Sequence, residues 1–157
     1  PYEMLKRLFA STESPDLHIV FNSKIVKQKG NGIWEIPMII TNLSSAVARD
    51  TALFVEIKNQ DDCESISSEG GLNNCSNINP GKKLFDSYLK GDVVHRGFNK
   101  IFGKLLIKMK VIKRSKRVLR LMVSIYADKM RARDEEISVY LSGSGISIKK
   151  TKEKYVY

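Results

Sequence analysis

The sequence contains few of the residue types that carry most protein chemistry. Its 157 residues include two cysteines, Cys63 and Cys75, and two histidines, His18 and His95. Two cysteines are too few for a disulfide framework, and together with two distant histidines they do not complete a zinc site. We therefore expect a reduced, cytoplasmic protein without a metal or other cofactor. A bridge between Cys63 and Cys75, closing a short loop, is the alternative.

Long apolar runs are absent as well. No segment has the length of a membrane span or of the apolar region of a signal peptide, so we expect no membrane partner. The chain begins with Pro1 rather than Met, and we expect it to be a piece of a longer protein. The length, with 42% apolar and 28% charged residues, suits one globular domain with a real core.

Positive charge is concentrated in the last third of the chain. Residues 1–98 contain 11 Lys and Arg against 12 Asp and Glu, whereas residues 99–157 contain 16 against 5. The two parts therefore have net charges of −1 and +11. Such asymmetry favours a polyanionic partner such as nucleic acid, or another acidic surface.

The pattern from Gly32 to Asn59 is typical of two β-strands joined by a polar turn. Ile33 to Thr41 is rich in Ile and contains Trp34, which we expect in the core, and the next stretch alternates in the same way. Pro37 predicts an edge strand or a bulge, because proline donates no hydrogen bond to the sheet. Residues 17–21, 82–94 and 146–148 predict further strands.

A short amphipathic helix is predicted before the first strand. Tyr2, Leu5, Leu8 and Phe9 recur at helical spacing, and Ser14-Pro15 ends the pattern. We therefore divide the chain into a helix and linker, residues 1–14, and a β-sandwich domain, residues 15–157.

The segment from Asn59 to Gly81 is predicted to be a surface loop. Its carboxylates lack the alternation and closing glutamate of a calcium loop. Gly70-Gly71 lacks the lysine and serine of a phosphate-binding loop. We therefore assign this segment no chemistry.

Alternation is clearest between residues 103 and 142. Leu105, Ile107, Met109 and Val111 share one phase, and so do Leu119, Leu121, Val123 and Ile125 across a basic tip. This predicts a hairpin, followed by a strand from Glu136 to Leu141. The outer face and the tip then define a candidate surface for nucleic acid or an acidic partner: Lys104, Lys108, Lys110, Arg114, Lys116, Arg117, Arg120, Tyr126 and Tyr140. The alternative is a solvated face whose lysines discourage edge-to-edge pairing.

About seven to nine strands with turn signals between them predict an all-β chain, an immunoglobulin-like antiparallel β-sandwich. Three segments also resemble the C-terminal region of bacterial proteins of the Schlafen AlbA type: Leu5 to Ile19, Ile40 to Asp50 and Val123 to Asp128. The resemblance implies a parent protein with an N-terminal DNA-binding or ATP-binding domain and a role in transcriptional regulation. The contacting residues of that domain have no counterpart in this sequence.

The leading functional hypothesis is a non-catalytic accessory domain that mediates protein contacts or dimerisation. Its basic last third would add non-specific nucleic-acid contacts. One alternative is an enzyme acting on nucleic acid, with His95 or His18 beside a carboxylate of residues 61–69. Another is a ligand-binding β-sandwich, such as a carbohydrate module, with exposed aromatic residues along one groove.

Overall fold

A computed structural model describes residues 14–75, 83–110, 116–142 and 145–156. This part of the chain forms eleven strands and two 3-10 turns. The strands are β1 (Leu17–Val20), β2 (Lys27–Lys29), β3 (Ile33–Asn42), β4 (Ala48–Ile57), β5 (Cys63–Glu69), β6 (Asn73–Asn74), β7 (Lys83–Val94), β8 (Asn99–Met109), β9 (Lys116–Tyr126), β10 (Ala132–Ser142) and β11 (Gly145–Val156). The all-β prediction is confirmed, while the predicted N-terminal helix lies outside the described residues.

The strands form two antiparallel sheets. The first sheet has the order β1-β3-β8-β5, with β2 also paired to β3, and the second has the order β11-β10-β9-β4-β7-β6. One apolar cluster receives side chains from both sheets, among them Ile36, Leu105, Phe85 and Val123. Trp34, predicted to lie in the core, is half-buried and packs against this cluster. The two sheets therefore share a single core.

The alternation read from the sequence places the core side chains correctly. Leu105, Ile107 and Met109 are buried on β8, and Leu119, Leu121, Val123 and Ile125 are buried on β9. Ile137, Val139 and Leu141 continue the same inward face on β10. The intervening residues form what we call the outer face of each sheet.

The predicted hairpin between β8 and β9 is wrong. β8 pairs with β3 and β5, whereas β9 pairs with β10 and β4. The chain therefore crosses from the first sheet to the second between these strands. Both strands alternate in the same way because each buries one face in the shared core, so periodicity alone does not reveal which strand lies beside which.

Two other boundaries also differ from the prediction. β5 and β6 lie within the segment predicted to be a loop, and β11 continues through the lysine-rich sequence after Ile148. β5 pairs along its length with β8 alone and buries little besides Cys63. Such edge strands need few apolar side chains, so their sequences read as polar loops.

Pro37 lies within β3 rather than on an edge strand. It falls between the part of β3 that pairs with β2, up to Glu35, and the part that pairs with β1, from Ile39. The register with β8 also shifts between Met38 and Ile39. Pro37 itself is in register with Lys104, and the extra residue at the shift is Phe102 on β8. A gap between two partner strands accommodates the missing donor.

Gly103 adjoins that register shift on β8, and alanine is expected to be poorly tolerated there. Its φ is +142°, and an added Cβ would lie 2.7 Å from the Leu72 backbone nitrogen and 2.9 Å from the Glu69 carbonyl oxygen. We expect Gly103→Ala to reduce the free energy of unfolding by about 2–4 kcal/mol through strain and overpacking. Urea denaturation measures this change.

Gly30→Ala is the control for that experiment, because no atom lies within 4 Å of an added Cβ at Gly30. We expect a change below about 1 kcal/mol there. Equal effects at both positions would contradict the steric argument.

Candidate functional site

The predicted basic surface is divided between the two sheets. Lys104 and Lys108 lie on β8 of the first sheet, and Lys110 is exposed just after that strand. Arg117, Arg120 and Tyr126 lie on β9, and Tyr140 lies on β10 of the second sheet. Lys116 begins β9, and Arg114 lies outside the described residues. The chain therefore does not bring these residues together on one face.

The two lysines of the first sheet are paired with carboxylates. Lys104 bonds to Glu35 on β3, which also lies 3.6 Å from Lys29, and the Lys108 Nζ lies 3.6 Å from Glu64 Oε1. The hydrogen bond from Lys104 lowers the pKa of Glu35, and the same bond raises the pKa of Lys104. The positive charge on this face is thus largely compensated.

A cavity of about 540 Å³ opens beside two of the predicted residues on the second sheet. Its lining combines cationic, amide, hydroxyl and apolar groups: Lys58, Asn59, Arg120, Leu121, Glu136, Ile137, Ser138 and Tyr140. Asn59 shapes this end of the sheet, because its Oδ1 accepts a 2.8 Å hydrogen bond from the Arg120 backbone and its Nδ2 donates to the Val118 carbonyl at 2.6 Å. The Arg120 side chain is exposed.

Three exposed aromatic residues gather at the other end of the same outer face. Ala52 on β4 lies opposite Tyr88 on β7 and opposite Tyr126 on β9, and Phe54 is two residues further along β4. The side chains of Phe54, Tyr88 and Tyr126 are 43%, 58% and 40% exposed. We call these three residues, with Ala52 between them, the aromatic patch.

The rings of the aromatic patch do not share a plane. Phe54 and Tyr126 are perpendicular, with centroids 5.6 Å apart. Carboxylates adjoin the patch, since Phe54 lies opposite Asp86 on one side and Ser124 on the other, and Ser124 Oγ donates to Asp134 Oδ1 at 2.6 Å. The result is an irregular apolar surface with charged residues at its border.

Phe54 and Tyr88 were not among the residues chosen from the sequence. The sequence does indicate that both rings are exposed. Phe54 is two residues from Glu56 and Tyr88 is two residues from Asp86, so each ring points to the same side of its strand as a charged residue. A large aromatic residue on the polar phase of a strand indicates an exposed ring.

A group of charged residues lies between the two sheets, apart from the cavity and the aromatic patch. Arg133 and Glu135, on β10, are 1% and 0% exposed, and they follow the inward phase of Ile137 and Val139. The Arg133 Nε lies 3.0 Å from Glu135 Oε1, and its Nη1 lies 3.3 Å from Asp16 Oδ1. Asp16, His18, Arg133 and Glu135 thus form an ionic cluster that is buried at Arg133 and Glu135 and reaches solvent at Asp16.

His18 joins this cluster from the edge strand β1. Its Nε2 lies 2.7 Å from Arg133 Nη1 and 2.8 Å from Asp16 Oδ1, and its Nδ1 lies 3.9 Å from Glu135 Oε1. A ring nitrogen either accepts from the guanidinium or donates to the carboxylate, so Nε2 bonds to one neighbour at a time. The histidine therefore has a structural role, connecting β1 to β10.

Neither histidine lies beside a carboxylate of residues 61–69, contrary to what the enzyme alternative predicted. The carboxylates nearest His18 are Asp16 and Glu135 rather than residues 61–69, and exposed His95 packs edge-on against Phe98 with centroids 6.2 Å apart. No histidine lines the 540 Å³ cavity or a second cavity bordered by Gly71, Gly103 and Lys104.

Both cysteines are free, so the alternative of a bridge between them is wrong. Burial raises the pKa of the Cys63 thiol to about 11, so its reactive thiolate is scarce at neutral pH. Within the described ranges, no three His, Cys, Asp or Glu side chains are placed to hold a metal ion.

Comparisons with known proteins give the chain no family. No model of a protein family matches it, and no curated protein matches it either. The resemblance to Schlafen AlbA-type proteins stays a prediction from the sequence. Among the described residues, the chain forms no helix with the length and apolar character that crossing a bilayer requires.

Proposed function

We propose that this chain is a non-catalytic interaction domain that binds a protein partner through the outer face of its second sheet. The aromatic patch is the observation that carries this proposal. Buried aromatic anchors contribute much of the binding energy at protein interfaces, and clustered exposed rings on one sheet face mark such a surface. The two sheets with their shared core would serve as an immunoglobulin-like sandwich that holds this face rigid.

Ring geometry favours a protein over a sugar or a nucleobase as the partner at the patch. Stacking on several rings requires aromatic faces in a common plane, whereas Phe54 and Tyr126 are perpendicular. Asp86 would also repel a phosphate backbone at this end. An irregular apolar surface with charges at its rim is typical of protein contacts.

A photocrosslinking amino acid placed at Tyr88, inside cells, tests the proposal. We expect a crosslinked protein species that decreases when Phe54→Ser and Tyr126→Ser are added, because these changes remove the neighbouring anchors. The same amino acid at Ser67, exposed on the first sheet, is the control. Equal crosslinking at Tyr88 and Ser67, or crosslinks to nucleic acid alone, would refute the proposal.

Non-specific nucleic-acid contact is proposed as an accessory role for the opposite end of the face. Lys58 and Arg120 line the cavity there. The parent protein would then be a DNA-associated regulator of the Schlafen AlbA type, as the sequence resemblance implies. This role predicts binding that decreases steeply with salt and depends little on DNA sequence.

Charge reversal at one residue of each sheet tests which sheet contacts DNA. We expect Arg120→Glu to weaken DNA binding and to reduce the magnitude of the salt slope by about one, as the loss of a phosphate contact does. Lys108→Glu has the same charge change on the first sheet, where Glu64 already pairs with the lysine, so we expect a smaller loss. A mobility-shift titration across a salt series measures both. No binding at low salt, or equal losses, would remove this accessory role.

A further inference from the structure

The outer face of the second sheet has two chemically different halves. One half contains the aromatic patch with Asp86 and Asp134. The other contains Arg120, Lys58 at the end of β4 and exposed Lys149 on β11. Met122, opposite Glu56 and Glu136, lies midway between the halves. Asp134 lies opposite Lys154 on β11, so the face is aromatic with mixed charge at one end and mainly cationic at the other.

We propose that the partner of this face is a second copy of the same chain, docked face to face about a two-fold axis that runs across the strands near Met122. This inference rests on the proposed function and specifies the partner. The dimer covers Arg120, so it would compete with the accessory nucleic-acid contact proposed for that residue. A two-fold axis brings each half of the face against the other half of the second copy. The arrangement brings Arg120 of each copy close to Asp134 of the other and buries both aromatic patches.

The strand register defines the central contact. Arg120 and Ser124 are two residues from Met122 along β9, in opposite directions, so the axis places Arg120 of one copy above Ser124 of the other. Phe54 lies beside Ser124 on β4, and the Asp134 carboxylate is drawn toward Ser124 by their 2.6 Å hydrogen bond. The guanidinium would therefore meet an aromatic ring and a carboxylate together, which is a favourable environment for arginine.

Like charges near the axis are already compensated in part. The axis brings the two copies of Glu56 close together, and likewise the two copies of Glu136. Each Glu56 lies 3.3 Å from the Nζ of its own Lys58, and each Glu136 lies opposite Lys152 on β11. The estimated contact area is typical of a dimer with low affinity. Val118 to Tyr126 spans about 27 Å, and four strands span about 20 Å with their side chains, giving on the order of 1,000 Å² in total, at the lower limit for a specific interface.

Sedimentation equilibrium of the purified chain, up to about 0.5 mM, tests the proposal at concentrations that detect a weak dimer. We expect reversible dimerisation of the unchanged chain, and about tenfold or greater weakening by Arg120→Asp, which places two carboxylates together twice in each dimer. Asp134→Arg should weaken it similarly by placing two guanidinium groups together. Lys108→Asp, on the first sheet, should leave it unchanged.

Mixing the Arg120→Asp and Asp134→Arg chains distinguishes this geometry from other dimers. In a mixed pair, the carboxylate introduced at position 120 of one chain would face the guanidinium introduced at position 134 of the other. The native Arg120 and Asp134 would face each other at the symmetric position. We therefore expect the mixture to regain most of the affinity that each variant loses. Thermal melting of each variant checks that the fold is retained.

Several results would overturn the proposal: a chain that stays monomeric, a mixture no tighter than its components, or equal losses from Arg120→Asp and Lys108→Asp. A monomeric chain whose Tyr88 still crosslinks to a different protein in cells would end the second-copy proposal and leave the interaction domain standing. If the chain neither dimerises nor crosslinks through position 88, both the second-copy proposal and the interaction-domain proposal are wrong.

Discussion

Replacing Arg133 with methionine is expected to lower the free energy of unfolding by about 3–5 kcal/mol. Arg133 is 1% exposed and lies 3.0 Å from a Glu135 carboxylate that has no exposure to solvent. Methionine fills much of the same space but leaves that carboxylate in the core without its nearest cation. The penalty is large because the remaining charge, rather than the lost attraction, determines it.

The double substitution Arg133→Met with Glu135→Met separates these two causes. Removing both charges leaves an apolar pair, and we expect most of the lost stability to return, to within about 1–2 kcal/mol of the unchanged chain. Urea denaturation of the single and double variants measures the difference. A double variant less stable than the Arg133→Met chain would contradict this account.

Arg131→Met supplies the control for the loss of one guanidinium. Arg131 is exposed just before β10, so we expect a change within about 0.5 kcal/mol. Hydrogen exchange adds a local readout, because Arg133 contacts Asp16 and His18 at the edge strand β1. We expect the amides of β1 to lose protection first in the Arg133→Met chain.

Replacing Asn42 with leucine is expected to destabilise the fold by about 3–5 kcal/mol, because it removes four hydrogen bonds at one buried position. The Asn42 side chain has no exposure to solvent. Its Nδ2 donates to the carbonyls of Ala46 and Val94, at 2.7 and 2.9 Å. Its Oδ1 accepts from the backbone of Ser44 and Asp16, at 3.0 and 3.2 Å.

Leucine has the same branching and the same number of side-chain heavy atoms as asparagine, so the substitution leaves no cavity at position 42. Asn22 is the control, since its Oδ1 accepts one exposed 2.9 Å bond from Lys24. We expect Asn22→Leu to cost about 1 kcal/mol or less, because water replaces that partner. Thermal and urea unfolding compare the two variants. Similar losses at both asparagines would show that the Asn42 bonds are not needed to satisfy buried groups.

Asn42 also shows what a turn signal in the sequence predicts and what it does not. The sequence marks residues 41–45 as a polar turn, and a turn connects β3 to β4 there. It gives no sign that one amide joins this turn to β7 and to the chain entering β1. Those partners are 52 and 26 residues away in the sequence, and only folding brings them to the same point.

The inward face of β10 shows a similar limit. Its alternation correctly predicts that Ile137, Val139 and Leu141 are buried. The same phase extends back through Glu135 and Arg133, but a charged residue on an inward phase usually ends the buried part of a strand. The strand stays buried because His18 on β1 and Asp16, just before β1, are partners of Arg133, and no local pattern indicates this.

By itself, the sequence determined that this is an all-β protein, which side chains enter the core and where most strands lie. These features follow from a two-residue period that each strand carries within its own sequence. The tertiary structure alone decided that β8 and β9 belong to different sheets, which divides the predicted basic surface and gathers Phe54, Tyr88 and Tyr126 on one face. The physical reason is that pairing and register depend on contacts between residues far apart in the chain, and periodicity does not record which partner a strand will meet.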